Sequence, residues 1–483
     1  MKLKDILGVY PILEIIGCLE KDITGIEHNS KKIKKDNLFI AQKGFNHDGH
    51  KFIDDAIKMG ASAIVVEDNI EPIEGITIVR VANALDSLAY FSGKFYNLPW
   101  KEMEFIGITG TNGKTSTSYI LRDIFINNKN KVGLMGTIGA IIGDTHIPLL
   151  NTTPDSLEIE RNLEKMREGK VDYSIMEVSS HALDLKRVRY MDFNIGIFTN
   201  LSSEHLDYHK TMKNYFKSKL KLFSKTNKFN IINIDDPYGE MITHKKSNIP
   251  FITYGIERPA HIRASNIEYF LHKTTFTLNI FEKKEDVELN LPGKFNLYNA
   301  LAAISCSIIY GVDLGVIKSS LKNIKPIKGR FEFIKNSENL NIIIDFAHTP
   351  NGLEEVLKTL RSFTTGKLIV VFGAGGNRDK EKRPLMGEIV GKFSDLAIIT
   401  TDNPRFEDPL HIIDDIAKGM KKGKFNYLEI PDRIDAIEYA IKVCEKEDVI
   451  LIAGKGHEEF IEINGEKLPF NERKIISDII KEL

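Results

Sequence analysis

Through most of the chain, short apolar runs alternate with longer stretches in which apolar residues return every three or four positions. The first pattern fits buried β-strands and the second fits helices with one apolar face. "DNLFIAQ", "HKFIDDAIKMG" and "ASAIVVED" read strand, helix, strand. "EFIGIT", "YSIMEV", "NIGIFTN" and "FNIINID" are further β-rich runs. "LNIIIDFAHT", "KLIVVFGAG", "LAIITTDNP" and "DVILIAGKG" each end in a polar or glycine-rich loop. Such alternation predicts an α/β protein with largely parallel sheets. The last four runs predict a doubly wound, Rossmann-like domain with ligand loops at the carboxyl ends of its strands. Two breaks divide the chain: "YNLPWKEMEF", with Pro99 and the only tryptophan, Trp100, and "IKPIKGRFEF". The expected domains are residues 1–100, 101–328 and 329–483.

A length of 483 residues, 42% hydrophobic and 28% charged, is ordinary for a globular protein. The net charge of -1 gives no basic field for nucleic acid. Cys18, Cys306 and Cys444 lie too far apart for a disulfide framework or a zinc site, which suits a reducing cytoplasm. Pro11 and Glu14 interrupt the N-terminal apolar stretch that a signal peptide would need. No apolar run approaches the roughly 18 residues of a membrane span. The expectation is a cytoplasmic monomer with neither nucleic acid nor membrane as partner.

"GITGTNGKTS", residues 107–116, carries the first chemistry. The common phosphate-loop pattern would need glycine at position 108, where Ile108 stands. The context is nonetheless strand, loop, helix. Gly110, Thr111, Asn112 and Gly113 would offer backbone N–H groups to phosphate at a helix start. Lys114 can reach the β/γ-phosphates, and the Thr115 hydroxyl can bind Mg²⁺. The spacing is not G-x-G-x-x-G and no N-K-x-D occurs, which argues against a dinucleotide site and a GTPase. Taken alone, the glycines would also serve a plain tight turn.

"MEVSSHAL" and "FTNLSSEHLDYH" follow apolar strands and place Glu177 and His205 at the same carboxyl edge. A carboxylate and an imidazole there can hold Mg²⁺ against ATP phosphates. Each alone also reads as a loop residue satisfied by backbone. In "GKFNLYNALAA", Asn296 and Asn299 share a face if the segment is helical, and a helix-start cap is the plain reading.

The abbreviated loop T-G-T-N-G-K-T resembles that of the Mur ligases and folylpolyglutamate synthases, ATP-dependent enzymes that join a carboxylate to an amine. The motifs that follow are similar to those of the Mur ligases in order and spacing. That resemblance implies a three-domain Mur ligase architecture, with a central P-loop-type ATPase domain and a C-terminal Rossmann-like domain, and ATP and Mg²⁺ as cofactors. It implies catalytic roles for Lys114, His205 and Lys219, the last carbamylated so that it helps hold a second Mg²⁺. It places Asn296 and Asn299 at the adenine, and Arg330, Asp345 and His348 at ribose and phosphate. Glu204 departs from the aspartate common before the motif histidine and keeps its charge.

The first domain resembles the uridine-nucleotide domain of the family's tripeptide-forming, MurE-type branch. Ser30 matches its nucleotide-contacting serine, whereas Asn29 and Lys31 depart from the usual Asp and Arg. "GFNHDGH" matches the uracil-side loop in position. Asn151, Thr152 and Thr153 of "NTTPDS", with Ser179 and Arg187, match the family's UDP-substrate contacts. In the third domain, Arg378, Asp402, Asn403, Pro404, Arg405, Gly454 and Glu458 match amino-acid contacts. Two guanidiniums and a carboxylate suit an amino acid with an extra zwitterionic end, and D-N-P-R resembles the motif of relatives that add meso-diaminopimelate. The reaction implied is phosphorylation of the D-glutamate carboxylate of UDP-MurNAc-L-Ala-D-Glu. The amine of meso-diaminopimelate, or of a close analogue such as lanthionine, then attacks the acyl phosphate. A lysine-adding ligase, a folylpolyglutamate synthase-like ligase and a non-catalytic nucleotide-gated binder stay open. A folylpolyglutamate synthase would lack the first domain, and a binder would not make ADP release depend on both acceptor and amino acid.

Overall fold

The computed structural model describes residues 1–44 and 48–482, so the middle of the expected uracil-side loop lies outside the described residues. Among the described residues, three main sheets succeed one another along the chain. The first runs Glu14–Ile16, Thr77–Arg80, Ala61–Val66, Asn37–Ile40, Gly25–Glu27, parallel except for its first strand. Helix Ala84–Phe95 turns Leu88 and Phe91 into its core, which Leu157 of helix Ser156–Glu168 also joins.

The central sheet is the largest. Its parallel middle runs Phe251–Gly255, Thr226–Asn233, Phe193–Phe198, Glu104–Thr109, Tyr173–Glu177, Val132–Gly136, with antiparallel hairpin strands extending both ends. Helices cover both faces, which is why these strands are apolar along their whole length rather than alternating. Helices Lys114–Asn127 and Lys294–Ile309 pack Ile120, Ile124, Leu301 and Ile304 on one face. Helix Ser156–Glu168 packs Ile159, Leu163 and Met166 against Phe105 and Met176 on the other.

The third sheet runs Glu332–Phe333, Asn341–Asp345, Val449–Ala453, Leu368–Phe372, Leu396–Ile399, Tyr427–Glu429, parallel after its first pair. Val449–Ala453 lies between two strands earlier in sequence, so the loops after residues 345, 372, 399 and 453 gather at one edge. A hairpin, Phe460–Ile463 and Glu466–Pro469, follows the last of these loops. The α/β class and the doubly wound third sheet agree with the sequence pattern. No helix of the described residues is long and apolar enough to cross a membrane.

Candidate functional site

Strand Glu104–Thr109 ends at Gly110, and helix Lys114–Asn127 begins four residues on. Gly113 has φ 85, and a Cβ there would meet Asn299 Oδ1 at 2.2 Å, so the turn requires glycine. The helix start has no side-chain cap, which leaves its backbone N–H groups for an anion. Asn299 therefore lies against the loop, whereas Asn296 donates its amide to Pro292 O at 2.9 Å just before its own helix.

Lys114 Nζ donates to the carbonyls of Gly110 and Thr111 at 2.9 and 2.8 Å. Lys219 reaches the same Gly110 carbonyl at 2.7 Å from helix Met212–Leu220. Lys219 is 1% exposed. Burial, reinforced by the charge of Lys114, holds its amine well below the usual lysine range. Glu177, the buried last residue of its strand, accepts from Thr115 Oγ1 at 3.0 Å, Thr137 Oγ1 at 2.9 Å and the Thr137 amide at 3.0 Å.

The third domain reaches this cluster directly. Arg330 Nη2 donates to Thr115 Oγ1 at 3.3 Å, and Asn112 Nδ2 to Asn351 Oδ1 at 3.2 Å. Glu204 lies 3.8 Å from His205 and, through its other oxygen, 3.8 Å from His348. Burial would raise the Glu204 carboxyl, but His205, His348, Lys114 and Lys219 outweigh it and hold it below its usual value. Desolvation, with His181 and the two lysines adding, lowers His205 to about 4. Asp345 is tied down by the amides of Phe331 and Ala347 at 2.6 and 2.7 Å beside the Arg330 segment.

A second group adjoins Glu177. Thr152 Oγ1 lies 3.1 Å from Thr137 Oγ1. Thr153 Oγ1 donates to Glu177 O at 2.8 Å, and Arg187 Nη1 to Thr153 O at 2.6 Å. Ser179, which caps its helix, donates its amide to Thr153 Oγ1 at 2.9 Å. Asn151 is exposed on the same loop. Ser30 stands apart in the first domain, where neighbouring His28 bridges to Asp155 of "NTTPDS" at 3.4 Å.

The third group lies on the same strand-end loops of the third domain, after residues 372, 399 and 453. Asn403 Nδ2 donates to Glu458 Oε2 at 2.8 Å, and Lys455 Nζ donates to Glu458 Oε2 at 3.1 Å and Asn403 Oδ1 at 3.0 Å. Gly454 has φ 114, and a Cβ there would lie 2.5 Å from Asp402 Oδ2, a buried oxygen without a hydrogen-bond partner among the described residues. Arg405, left-handed at φ 54, is already ion-paired with Glu462. Exposed Arg378 and Arg405 flank Gly375: a Cβ there would lie 3.8 Å from Arg378 Cγ and 2.9 Å from Arg405 Nη1. Pro404 is buried, its carbonyl against Gly376. A cleft of about 660 Å³ beside the hairpin is lined by Arg405 and Phe406 but by none of Arg378, Asp402 and Glu458, and so lies behind this group.

Three family models match along the chain: "Mur ligase family, catalytic domain" at residues 22–90, "Mur ligase middle domain" at 108–307, and "Mur ligase, glutamate ligase domain" at 329–456. The chain belongs to the Mur ligase family. It is 45% identical over 483 residues to the UDP-N-acetylmuramoyl-L-alanyl-D-glutamate–2,6-diaminopimelate ligase of Caldanaerobacter subterraneus, covering 100% of this chain and 99% of that one. The enzyme of the same name from Clostridium tetani is 44% identical, with 100% of both chains covered. A solved structure of a ligase of that name superposes with a TM-score of 0.70 at 29% identity, covering 100% and 99% of the two chains. At 18% identity, the MurF ligase of Thermotoga maritima, solved with ADP, shares the fold with a TM-score of 0.66 over 95% and 97%.

Within this Mur ligase, sequence reasoning overlooked Thr137, Lys455 and Glu462. Lys455 stands inside the quoted "DVILIAGKG", and a lysine between two strand-end glycines was a signal that could have found it. Arg383 was overlooked as well. It is fully buried and grips Glu407 with two donors at 3.0 Å each, pinning the loop just after Arg405.

Proposed function

We propose that this Mur ligase joins meso-diaminopimelate, or a close diamino dicarboxylic analogue, to UDP-MurNAc-L-Ala-D-Glu with ATP, as a cytoplasmic enzyme of peptidoglycan precursor synthesis. The full-length relatives that carry that activity in their names support the reading. The observation that carries the choice of amino acid is the pairing of opposite charges on strand-end loops. Arg405 and Arg378 suit the distal carboxylate, and Glu458 with Asp402 suits the ammonium.

In this reading the uncapped helix start after Gly113 and the Lys114 amine receive the β/γ-phosphates. Lys114 swings from the Gly110 and Thr111 carbonyls to the nucleotide. Thr115 and Glu177 form an all-oxygen donor pair that fits Mg²⁺. His205, neutral at physiological pH, and a carbamate on Lys219 complete the metal-binding group. Bound Mg²⁺ neutralises phosphate charge. Burial lowers the proton affinity of the Lys219 amine and so favours the neutral form that adds CO₂ to give a carbamate with loss of a proton. The γ-phosphoryl group passes to the D-glutamate carboxylate while Lys114 and Arg330 stabilise the moving charge. Thr152, Thr153, Ser179 and Arg187 hold the acceptor beside Glu177. The diamino acid's amine attacks the acyl phosphate, a tetrahedral intermediate forms, and phosphate leaves.

The test is ADP release across a panel of amino acids with the UDP-dipeptide present. We expect release to require both substrates and meso-diaminopimelate to be preferred to L-lysine by about 10³-fold or more, because lysine leaves a guanidinium unpaired. Equal kcat/KM for the two amino acids would defeat the assignment. ADP release independent of acceptor and amino acid would point to the nucleotide-gated binder instead.

A further inference from the structure

The hairpin Phe460–Ile463 and Glu466–Pro469 grips Arg405 from both sides of its backbone. The Arg405 amide donates to Glu462 O at 3.0 Å, and the Asn464 amide donates to Arg405 O at 2.7 Å, making a parallel bridge between Arg405 and Ile463. These bonds hold a non-glycine residue in the left-handed region at φ 54, a conformation that persists only where surrounding contacts over-determine it. The side chain is fixed with equal completeness. Arg405 Nε donates to Glu462 Oε2 at 3.1 Å and Nη1 donates to Gly376 O at 2.7 Å, while Nη2 makes no hydrogen bond among the described residues. Nε and Nη1 are thus occupied by protein, and Nη2 is the donor left for a ligand. The Glu462 amide also donates to Asn403 Oδ1 at 2.9 Å. That bond sets the Asn403 amide so that its nitrogen faces Glu458.

We propose that Glu462 is a positioning residue for the choice of amino acid: it never touches the amino acid, and it aims the free Nη2 of Arg405 at the distal carboxylate. The proposal rests on the reading of this pocket as the amino-acid site. Removing the Glu462 carboxylate frees Nε, and the guanidinium loses its single orientation while its charge stays. The consequence falls on recognition of diaminopimelate and not on ATP or the UDP-linked acceptor, whose contacts lie on other loops.

Steady-state kinetics of Glu462→Ala, Arg405→Ala and the double variant, with diaminopimelate and lysine as alternative substrates, test this. Glu462→Ala should raise KM for diaminopimelate by about tenfold, as loss of a partner that orients a ligand-binding group commonly does. kcat should stay within about twofold, and KM for ATP and UDP-dipeptide should be unchanged. Glu462→Gln, which still accepts from Nε, should recover most of that loss. The double variant should be no worse than Arg405→Ala alone, since Glu462 acts through Arg405. Additive losses in the double variant would overturn the proposal. So would an unaltered KM in Glu462→Ala beside an impaired Arg405→Ala, and that pair would leave the pocket assignment standing. Unaltered kinetics in Arg405→Ala would overturn the assignment and the proposal together.

Discussion

Lys114 and Lys219 share the Gly110 carbonyl, so two amines converge where the proposed function puts phosphate charge. Lys114 is half-buried on the loop and holds no core in place. Lys114→Ala should therefore melt like the parent while losing ligase activity by about 10²-fold or more, the usual cost of one aimed donor at a developing charge. Substantial activity in the folded variant would remove Lys114 from the mechanism. For Lys219, activity should fall in CO₂-depleted buffer and return with bicarbonate, and ¹³CO₂ should give a carbamate resonance that Lys219→Ala lacks. Full activity in Lys219→Ala would exclude the modification. The amine also has a signature in stability. Burial holds its proton affinity well below that of the unfolded chain, whose lysine keeps its proton up to the ordinary value of 10.5. The unfolded state therefore binds more protons, and stability without CO₂ should rise with pH until that value is reached. Lys219→Met should flatten this rise in a series of thermal melts.

At the scale of elements, buried parallel strands were legible because they are apolar throughout. "EFIGIT", "YSIMEV" and "LNIIIDFAHT" fall on Glu104–Thr109, Tyr173–Glu177 and Asn341–Asp345. Edge strands were not. Glu14–Ile16 is largely exposed, lies within the stretch weighed as a signal peptide, and gains its strand only by pairing with Thr77–Arg80. Long-range polar pairs were equally invisible, because Glu462 lies 57 residues from Arg405 and no local pattern joins them. Glu160 shows the same limit on helix Ser156–Glu168. As sequence it is one charge on an amphipathic helix, yet it is 1% exposed, and a Cβ on Gly93 of the neighbouring helix would lie 3.3 Å from its Oε1. Its Oε2 has no hydrogen-bond partner among the described residues. Burial, with Glu164 adding, pushes its carboxyl up to about 8 from 4.5. Across that window the folded state keeps a proton that the unfolded chain has lost, so stability should fall between pH 4.5 and 8 and then level off. Glu160→Gln should remove that component of the decline, and melts of parent and variant that run parallel from pH 5 to 9 would show that Glu160 is not the cause.

At the scale of the whole molecule, the loops of the third domain meet the phosphate loop of the central one through few contacts. Arg330 reaches Thr115 at 3.3 Å, Asn351 reaches Asn112 at 3.2 Å, and His348 faces Glu204 at 3.8 Å. Away from this loop, Phe295 packs against Phe331 and His272 against Phe333 across the same junction, so parting of the domains for substrate exchange would pivot on that apolar contact while the sparse polar set opens. Chemistry imposes the opposite need. An acyl phosphate exposed to water hydrolyses, so under the proposed function the domains stay closed between phosphoryl transfer and attack by the amine. Arg330 bears most on that closure. Its guanidinium lies 4.6 Å over the Phe346 ring in its own domain and crosses to the Thr115 hydroxyl in the other. Removing it takes a charge from the phosphates and a tie from the closed state at once, whereas Arg330→Lys keeps charge and loses the stacked, forked geometry. In the parent, phosphate released and amide formed should stay near one to one. Arg330→Ala should lower ligation by about 10–100-fold, the scale of a small misplacement of reacting groups. Arg330→Lys should keep more of the rate yet release phosphate in excess of amide, because an acyl phosphate that still forms is no longer shielded. Tight one-to-one coupling in Arg330→Lys at reduced rate would confine Arg330 to charge stabilisation and assign closure to the Asn112–Asn351 and Glu204–His348 contacts.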